Sequence, residues 1–590
     1  MTALQPATIP FARWFDRGVI VAVVLACAVA MSLNVADPDL WGHVQYGRDA
    51  LRDGLPATTT YSYRAQEYPW VNHEILAELG LAAVNDTIGG VGLLVMKALL
   101  GLGVILLVGR AARKQDAGIV AASALMLLVA AALGRHWMLR PQLISYVSFA
   151  LLLALLNFCF QGWAGAWHLR WPGKSSEESE ETKLTYDSRR MRYLWLVPVL
   201  MVIWTNSHGG FLAGLCVYIA YLGLRGLEVF SQRGRESFGL LRRFALMATV
   251  AVLATFMNPY GYHFHEWLYH DLHVPRPEIL EWRRPDLLDP HTLPFLLLGA
   301  TWLATLCLSK RPKDFTQTVI LALIGWQAVE HHRHMAFFAI AAGFWLGGPL
   351  QSLLERFGAG SADESITNNL GRRSRIAFAA GLVLAIAICG VQLGRKLLTL
   401  QVDHSTFPVA AIDYVARQGL QGRMVVTFNW AQYALAAIGA REPGQPGVRI
   451  HVDGRCRTSY SQAMLDEHFD FILGPPDSRM RYRDPASGPY DPTQVLSSGM
   501  PDLVLISRAQ QPAVEVMEGQ GDAWVLLYQD SLAQLWGRAT KYANPESRDF
   551  IPPDEREVGD APQTAFTPWP AIPAYVPRTN PSANTRFVQR

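Results

Sequence analysis

Asp37 and Asp39 stand two residues apart in VADPDLWGHV, where a long apolar run gives way to polar residues. Carboxylates so spaced can bind a divalent cation, or divide into a general base and its partner. The plainer use of Asp-Pro-Asp is to end one helix and cap the next, DLWGHVQYGRDAL. Farther on, Trp70-Val71-Asn72-His73-Glu74 opens an amphipathic helix, and its His-Glu pair is a poor choice for a helix that only lies on a membrane. Four further corners carry residues that lipid tolerates badly. RHWMLRPQ holds Arg135 and Arg140, and TNSHGGF holds Asn206, Ser207 and His208 beside two glycines. NPYGYHFHEW adds His263 and His265, and EHHRHM adds His331, His332, Arg333 and His334. Arg and His near a helix start make a cradle for phosphate oxygens. The HHxH pattern of 331–334 lacks the fourth ligand that a zinc site needs.

The elements that must position these residues are membrane spans. Hydrophobic residues make up 51% of the 590 and charged ones 17%, against roughly 25% charged in soluble proteins. A net charge of +3 offers no concentrated basic face for nucleic acid. The six cysteines contain no CxxC, and five lie in apolar segments, where they read as small core residues. Apolar runs fall at 18–36, 87–109, 117–134, 142–160, 193–208, 210–230, 244–258, 292–308, 316–330, 335–349 and 376–396, about 11 transmembrane helices. With the N-terminus in the cytoplasm, the inside segments hold 23 Lys and Arg in 105 residues and the outside segments 9 in 100. That bias supports the orientation and puts everything after 397 outside. Arg13 and Arg17 before the first run also fit a signal peptide, whose removal would leave the later loops on the same sides. Twelve of the sixteen histidines then fall in the outside segments, His43 and His73 in the first of them. Interfacial preference would enrich both faces, so the skew points to a cleft at the outer surface.

Residues 1–399 are thus expected to form a multi-span domain whose first outer loop is 37–86. Residues 400–540 read as an extracytoplasmic α/β domain: VARQGLQGRMVVTF, GVRIHVD, PDLVLIS and AWVLLYQD contain short buried-strand runs, and TFPVAAIDYVARQG and NWAQYALAAIG have helical spacing. From 541 to 590 the chain is rich in Pro, Asn, Arg and Asp with few aliphatics, the composition of a mostly disordered tail. No internal repeat is evident.

These segments resemble the GT-C class of integral-membrane glycosyltransferases, in particular its large bacterial branch of glycosyltransferase-like membrane proteins. That branch has an acidic D-x-D/W-x-H segment after its first span and P-W-V-x-H-E later in the loop. Here they are DPDLWGH (37–43) and PWVNHE (69–74). Its N-x-H-G-G/S-F and N-P-Y/F-G corners are matched by TNSHGGF and NPYGYH, and its R-H/N turn by HHRHM. Its W-G-G-Y-L and D-G-R patterns correspond to 429–433 and to Asp453-Gly454-Arg455. The match runs in order from about residue 30 to 540. It departs at Ala431-Gln432, where the branch has Gly-Gly, residues that permit close backbone approach.

The resemblance implies transfer of a sugar from a polyprenyl-phosphate donor to a glycan, lipid or protein acceptor, in the bacterial inner membrane, at its outer face, with inversion. On that reading Asp39, or Asp37, is the catalytic base, and a divalent cation at this pair is the one cofactor the residues allow. Arg140, Arg333 and His334 would stabilise the leaving phosphate. His73 and Glu74 would hold the sugar or acceptor, and Trp70 would stack on it. His43, His208 and His263 would line the substrate site, and Tyr433, Asp453 and Arg455 would face the membrane from the C-terminal domain. Two rivals are a membrane scaffold for polysaccharide assembly that has lost the chemistry, and a secondary transporter. Transporters place polar residues at the bilayer midplane and show inverted repeats, and neither is seen here.

Overall fold

A computed structural model describes residues 8–163, 167–169, 185–358, 371–440, 445–477 and 480–576. The chain divides into two compact units. One comprises Met1–Asn34, Val91–His265 and Ile279–Leu398, and the other Val35–Gly90, Glu266–Glu278 and Thr399–Arg590.

The first unit is helical. Helices fall on all eleven apolar segments, among them Thr8–Met31, Ile119–Leu133, Gln142–Cys159, Phe211–Arg233, Leu293–Leu308 and Arg372–Leu398. Among the described residues, six helical stretches are long and apolar enough to cross a membrane. The number rises to seven if the bent pair His332–Trp345 and Gly347–Arg356 is one span. The others are short for a geometric reason. Leu196–Thr205 has 10 residues and at about 1.5 Å per residue reaches only half of a hydrocarbon core of roughly 30 Å. The first span also ends sooner than its apolar run. Its helix stops at Met31, and Val35 instead pairs with Gln401. Lipid gives no hydrophobic drive between helices, so small residues must allow close packing. Met335–Trp345, with Ala336, Ala339, Ala341 and Ala342, is buried along its whole length. One polar node sits in this unit. Arg225 pairs with Glu228 at 2.8 Å and Asp314 at 2.5 Å, and Thr316 donates to Glu228 at 3.0 Å.

The second unit is built on a sheet. Its strands are β1 Gln401–Asp403, β2 Gly422–Val426, β3 Val448–Ile450, β4 Leu503–Ser507, β5 Trp524–Gln529, β6 Ala533–Arg538, β7 Glu557–Val558 and β8 Phe566–Pro568. Six of them form a mixed sheet in the order β3-β2-β4-β6-β5-β7, and β1 pairs with β8 apart from it. β2 runs parallel to β3 and β4, whereas β6 is antiparallel to β4 and β5. Every residue of β4 is buried. Its side chains alternate between two cores: Leu503 and Leu505 join one, Val504 and Ile506 the other. Burying each is worth about 1.5–3 kcal/mol. The expected strands and both expected helices are present, as Val409–Arg417 and Ala431–Ile438, while β6 was not legible because AQLWGR carries no β-branched run.

The segment read as the first outer loop belongs to this unit. It contains the helix α1 (Leu40–Asp53) and the start of α2 (Ile75–Lys114), which is interrupted at Gly89 (φ 76°). Ala36, Trp41, Tyr46, Tyr61 and Trp70 join the core with Leu503 and Leu505. Ala36 donates its N–H to Gln401 O at 2.7 Å, and Ser62 Oγ donates to His451 O at 2.6 Å. The division at 399 read from the sequence therefore cuts between segments that share one core. The disordered tail expected from 541 gives way, over 541–576, to chain held by aromatic side chains. Trp41 Nε1 donates to Pro570 O at 2.9 Å, and Trp569 Nε1 to Asn85 at 2.8 Å. Aliphatic content was the wrong gauge, since a few buried aromatic rings tie down the stretch. Residues 577–590 lie outside the described residues.

Candidate functional site

Asp37 and Asp39 divide the work at the head of α1. Asp37 is buried, and its Oδ1 accepts the N–H of Asp39 at 3.0 Å, closing the turn that admits the helix. Asp39 occupies the N-cap position, yet its side chain makes no cap hydrogen bond. Capping therefore accounts for Asp37 and not for the half-buried carboxylate of Asp39. That carboxylate faces the Asp453-Gly454-Arg455 turn: a Cβ on Gly454 would lie 2.6 Å from Asp39 Oδ1 and 2.8 Å from Gln432 Nε2. A side chain there would force both of these side chains to shift. Gln432 Oε1 would be 2.5 Å from a Cβ on Gly42, so the amide is wedged between two glycines, and this oxygen is buried with no hydrogen-bond partner among the described residues.

One turn along α1, the His43 N–H returns to Asp39 O at 3.0 Å. This sets the imidazole against the first turn of α2. His43 Nδ1 lies 3.1 Å from Glu78 Oε1 and 4.0 Å from Glu74 Oε2. Asn72 Nδ2 donates to the other Glu78 oxygen at 2.7 Å, and Asn72 Oδ1 accepts the N–H of Glu74 at 3.1 Å. His73 Nε2 is 3.9 Å from Glu74 Oε1, and its ring lies 5.5 Å from that of Trp267. Burial alone would push the His43 imidazole down. The hydrogen bond to Glu78 and the charges of Glu74, Glu78 and Asp39 outweigh it and lift His43 to about 9. Burial, with Glu78 and Asp39 nearby, raises the Glu74 carboxyl despite His73 and His43.

The other expected residues of this unit are occupied by structural work. Asp453 is fully buried, and Arg455 binds it through Nε and Nη2 at 2.8 and 2.6 Å. The Arg455 guanidinium lies 4.5 Å from the Trp70 ring and 4.7 Å from that of Tyr46, so the Trp70 face expected to stack on sugar already carries a cation. Tyr433 is fully buried, and its hydroxyl donates to Ala571 O at 2.6 Å. None of the three C-terminal side chains lies open to a ligand, because each closes the core beneath the first loop.

In the helical unit, Arg140 Nη1 pairs with Glu281 at 2.8 Å, and the Arg333 guanidinium sits 4.5 Å over the Trp282 ring. The His334 ring lies 5.8 Å from that of His331, and the His263 ring 4.0 Å from that of Tyr262. His208 Nδ1 accepts from the Gly210 N–H at 3.0 Å and meets Ser145 Oγ at 2.7 Å, which in turn accepts from Trp204 Nε1 at 2.7 Å. His208 is thereby committed to shaping its own corner.

Sequence reading missed Glu78 and gave Asn72 and Gln432 no role of their own. Glu78 had a usable signal, since it follows Glu74 by one helical turn and must share its face. Gln432 had none except its departure from Gly-Gly. Among the described residues, the one group of three or more His, Cys, Asp or Glu side chains poised to hold a cation is His43, Glu74 and Glu78. Asp37 and Asp39 are not members of that group.

No family model matches the chain, and no curated protein matches it by sequence. Solved structures do. ArnT from Cupriavidus metallidurans in the apo state aligns with a TM-score of 0.50 at 12% identity, over 89% of this chain and 97% of that one. The same protein bound to undecaprenyl phosphate gives 0.48 at 14% identity, over 89% and 97%. The oligosaccharyltransferase AglB from Archaeoglobus fulgidus, with an inhibitory peptide and a dolichol-phosphate, gives 0.49 at 10% identity, over 84% and 69%. The likeness to apo ArnT gives this chain a GT-C-like fold, that of a polytopic helical membrane protein with a sheet-containing C-terminal part.

Proposed function

We propose that this chain of GT-C-like fold is a membrane glycosyltransferase that moves a sugar from a polyprenyl-phosphate donor to an extracytoplasmic acceptor. The observation that carries the reading is the Asp39 carboxylate, placed at a helix head, half-buried and not used as a cap, with the Gly454 turn packed close against it. The donor class comes from ArnT, which has been captured with undecaprenyl phosphate.

Asp39 takes the proton of an acceptor hydroxyl as that oxygen bonds to the anomeric carbon. The carbon–oxygen bond to phosphate breaks from the opposite side, its electron pair leaves with the phosphate, and the configuration inverts. Asp37 positions Asp39 through the backbone. His73 and Glu74 are assigned to the sugar or acceptor, and His43 orients Glu74 and Glu78. Arg140 and Arg333 carry the cationic charge that a phosphate headgroup requires, with His334, His208 and His263 shaping the corners around them. The reading includes eleven crossings of the bacterial inner membrane, with the N-terminus in the cytoplasm and the sheet-containing unit outside.

The test compares glycolipids and surface polysaccharide by mass spectrometry in a deletion strain complemented with wild type or Asp39→Asn, both at equal membrane abundance. Wild type should restore a hexose- or pentose-sized mass that the variant cannot. Equal restoration by both would remove Asp39 as the base and favour a scaffold of the same fold.

A further inference from the structure

One end of the helical unit gathers cations around two aromatic rings. Lys114, the last residue of α2, has its Nζ 5.8 Å from the centre of the Phe158 ring, and the Arg190 guanidinium lies 5.5 Å from the same centre. The Tyr193 ring meets Phe158 edge to face at 5.4 Å, and the Arg192 guanidinium sits 5.2 Å over Tyr193. Local packing builds the cluster. Met191 and Leu194, three residues apart, are buried, which turns Arg189, Arg192, Tyr193 and Trp195 outward. The acid in this stretch is Asp187. One of its oxygens accepts the N–H groups of Arg189 and Arg190, and the other lies 3.2 Å from Arg190 Nε. Lys114, Arg189, Arg190 and Arg192 therefore exceed Asp187 by three charges.

We propose that this cluster binds the headgroup of an anionic phospholipid bearing two phosphates. Cations held this close repel one another, and an anion among them relieves the repulsion. Each ring fixes a cation without neutralising it, and guanidinium groups meet phosphate oxygens through paired hydrogen bonds. The cations stand on two adjoining rings, an arrangement that suits two phosphates joined by a short bridge.

The acyl chains also have a place. The helix Leu196–Thr205 starts directly after the cluster, and Leu196, Val199 and Ile203 are exposed along it. Their spacings of three and four residues put them in one row. Its 10 residues span about 15 Å, the depth of one leaflet. Tyr193 and Trp195, exposed at the head of the row, are residue types that favour the boundary between headgroups and hydrocarbon. A basic cluster with an apolar row leading away from it matches a lipid rather than a soluble phosphate.

This cluster is distinct from the residues assigned to the sugar donor. Phe158 lies near the end of the 18-residue helix Gln142–Cys159 and Arg140 just before its start, about 27 Å apart along the helix. Under the proposed orientation the cluster faces the cytoplasm. The positive-inside bias accounts for cations on that face, but not for their convergence on two rings. Lipid binding here requires neither sugar transfer nor Asp39.

The full-length protein, purified in detergent and freed of lipid, is mixed with equal amounts of cardiolipin and phosphatidylcholine, and retained lipid is counted by native mass spectrometry. One cardiolipin per chain should be kept in preference to phosphatidylcholine, with an affinity that falls as salt rises. Lys114→Gln, Arg190→Gln and Arg192→Gln should each weaken cardiolipin about fivefold, and the triple variant about a hundredfold. Arg372→Gln with Arg373→Gln, at the exposed start of the last span, should change nothing. Melting temperatures check that each variant folds, and the selectivity and salt dependence of wild type do not rely on any variant. Equal retention of both lipids by wild type overturns the site. So does a loss in the Arg372 and Arg373 variant as large as in the triple variant, which would mark a diffuse surface attraction. Displacement of cardiolipin by an equal concentration of pyrophosphate would make this a site for soluble phosphate and overturn the lipid assignment.

Discussion

Arg455 grips Asp453, two residues earlier, through Nε at 2.8 Å and Nη2 at 2.6 Å, inside a ring formed by Tyr46, Tyr61, Trp70 and Tyr460. The same Nη2 donates to Thr59 Oγ1 at 2.8 Å, so one guanidinium joins the β3 side of the sheet to the first loop. Removing one partner of a buried pair costs about 3–5 kcal/mol, because the other charge is left uncompensated. Arg455→Ala should therefore unfold or markedly soften the sheet-containing unit, read as protease sensitivity and a lowered melting temperature. Arg455→Lys should not rescue it, since an ammonium cannot make the parallel pair of bonds. Wild-type resistance in both variants would refute the clamp.

Asp37 and Asp39 should separate by readout. Asp37→Ala removes the acceptor for the Asp39 N–H and should cost about 1 kcal/mol of stability, with a partial loss of glycolipid product. Asp37→Asn keeps an acceptor oxygen and should melt close to wild type. Asp39→Asn should melt like wild type and make no product.

Gly454 and Gln432 should show coupled effects. Gly454→Ala drives a Cβ into Asp39 and Gln432, so it should lower both stability and product. Gln432→Ala vacates part of that volume. The double variant should recover stability relative to Gly454→Ala, a coupling of roughly 0.5–3 kcal/mol as contacting residues show. Additive losses would mean that Gln432 does not crowd the turn.

Much of this was legible before any coordinates. Apolar runs placed the helices, since a span must be about 20 residues of low polarity. Short runs such as LVLIS placed the strands. Asp37, Asp39, His43, His73 and Glu74 do gather at the head of one loop, as their motifs implied. What the sequence hid was the destination of that loop. Burial of Trp41, Tyr46 and Trp70 in the C-terminal core rests on contacts hundreds of residues apart, which periodicity cannot register. For the same reason Asp453, Arg455 and Tyr433 looked like ligand contacts. Their motifs reported close packing, and close packing against a site resembles a site when only the chain is read.

His468 should make the sheet-containing unit sensitive to acid. It is fully buried in α3 (Gln462–Leu473), its ring is stacked 5.6 Å from that of His451, and among the described residues neither of its nitrogens has a hydrogen-bond partner. Burial, with His451 and Arg481 adding to it, holds its imidazole well below the usual 6.5. The native state resists the proton that the unfolded chain accepts near 6.5, so stability is full above that pH and drains as pH falls below it. His468→Phe keeps the ring and removes both unpaired nitrogens. Its melting temperature should equal or exceed wild type at pH 7.5, with an advantage that widens from pH 6.5 to 5. A constant difference across that range would rule out the assignment.

The shared core of the 35–90 segment and the chain beyond 399 imposes an order on biosynthesis. The segment carrying Asp39 emerges well ahead of the sheet that buries Trp41 and Trp70. Some three hundred residues, most of the helical unit, are made in between, during which those aromatic rings lack the core that buries them. The nascent chain thus carries Asp39 and its neighbours in an unassembled state until the sheet strands have been made, and a ribosome stalled ahead of β2 leaves a product in which Trp41 and Trp70 have no core.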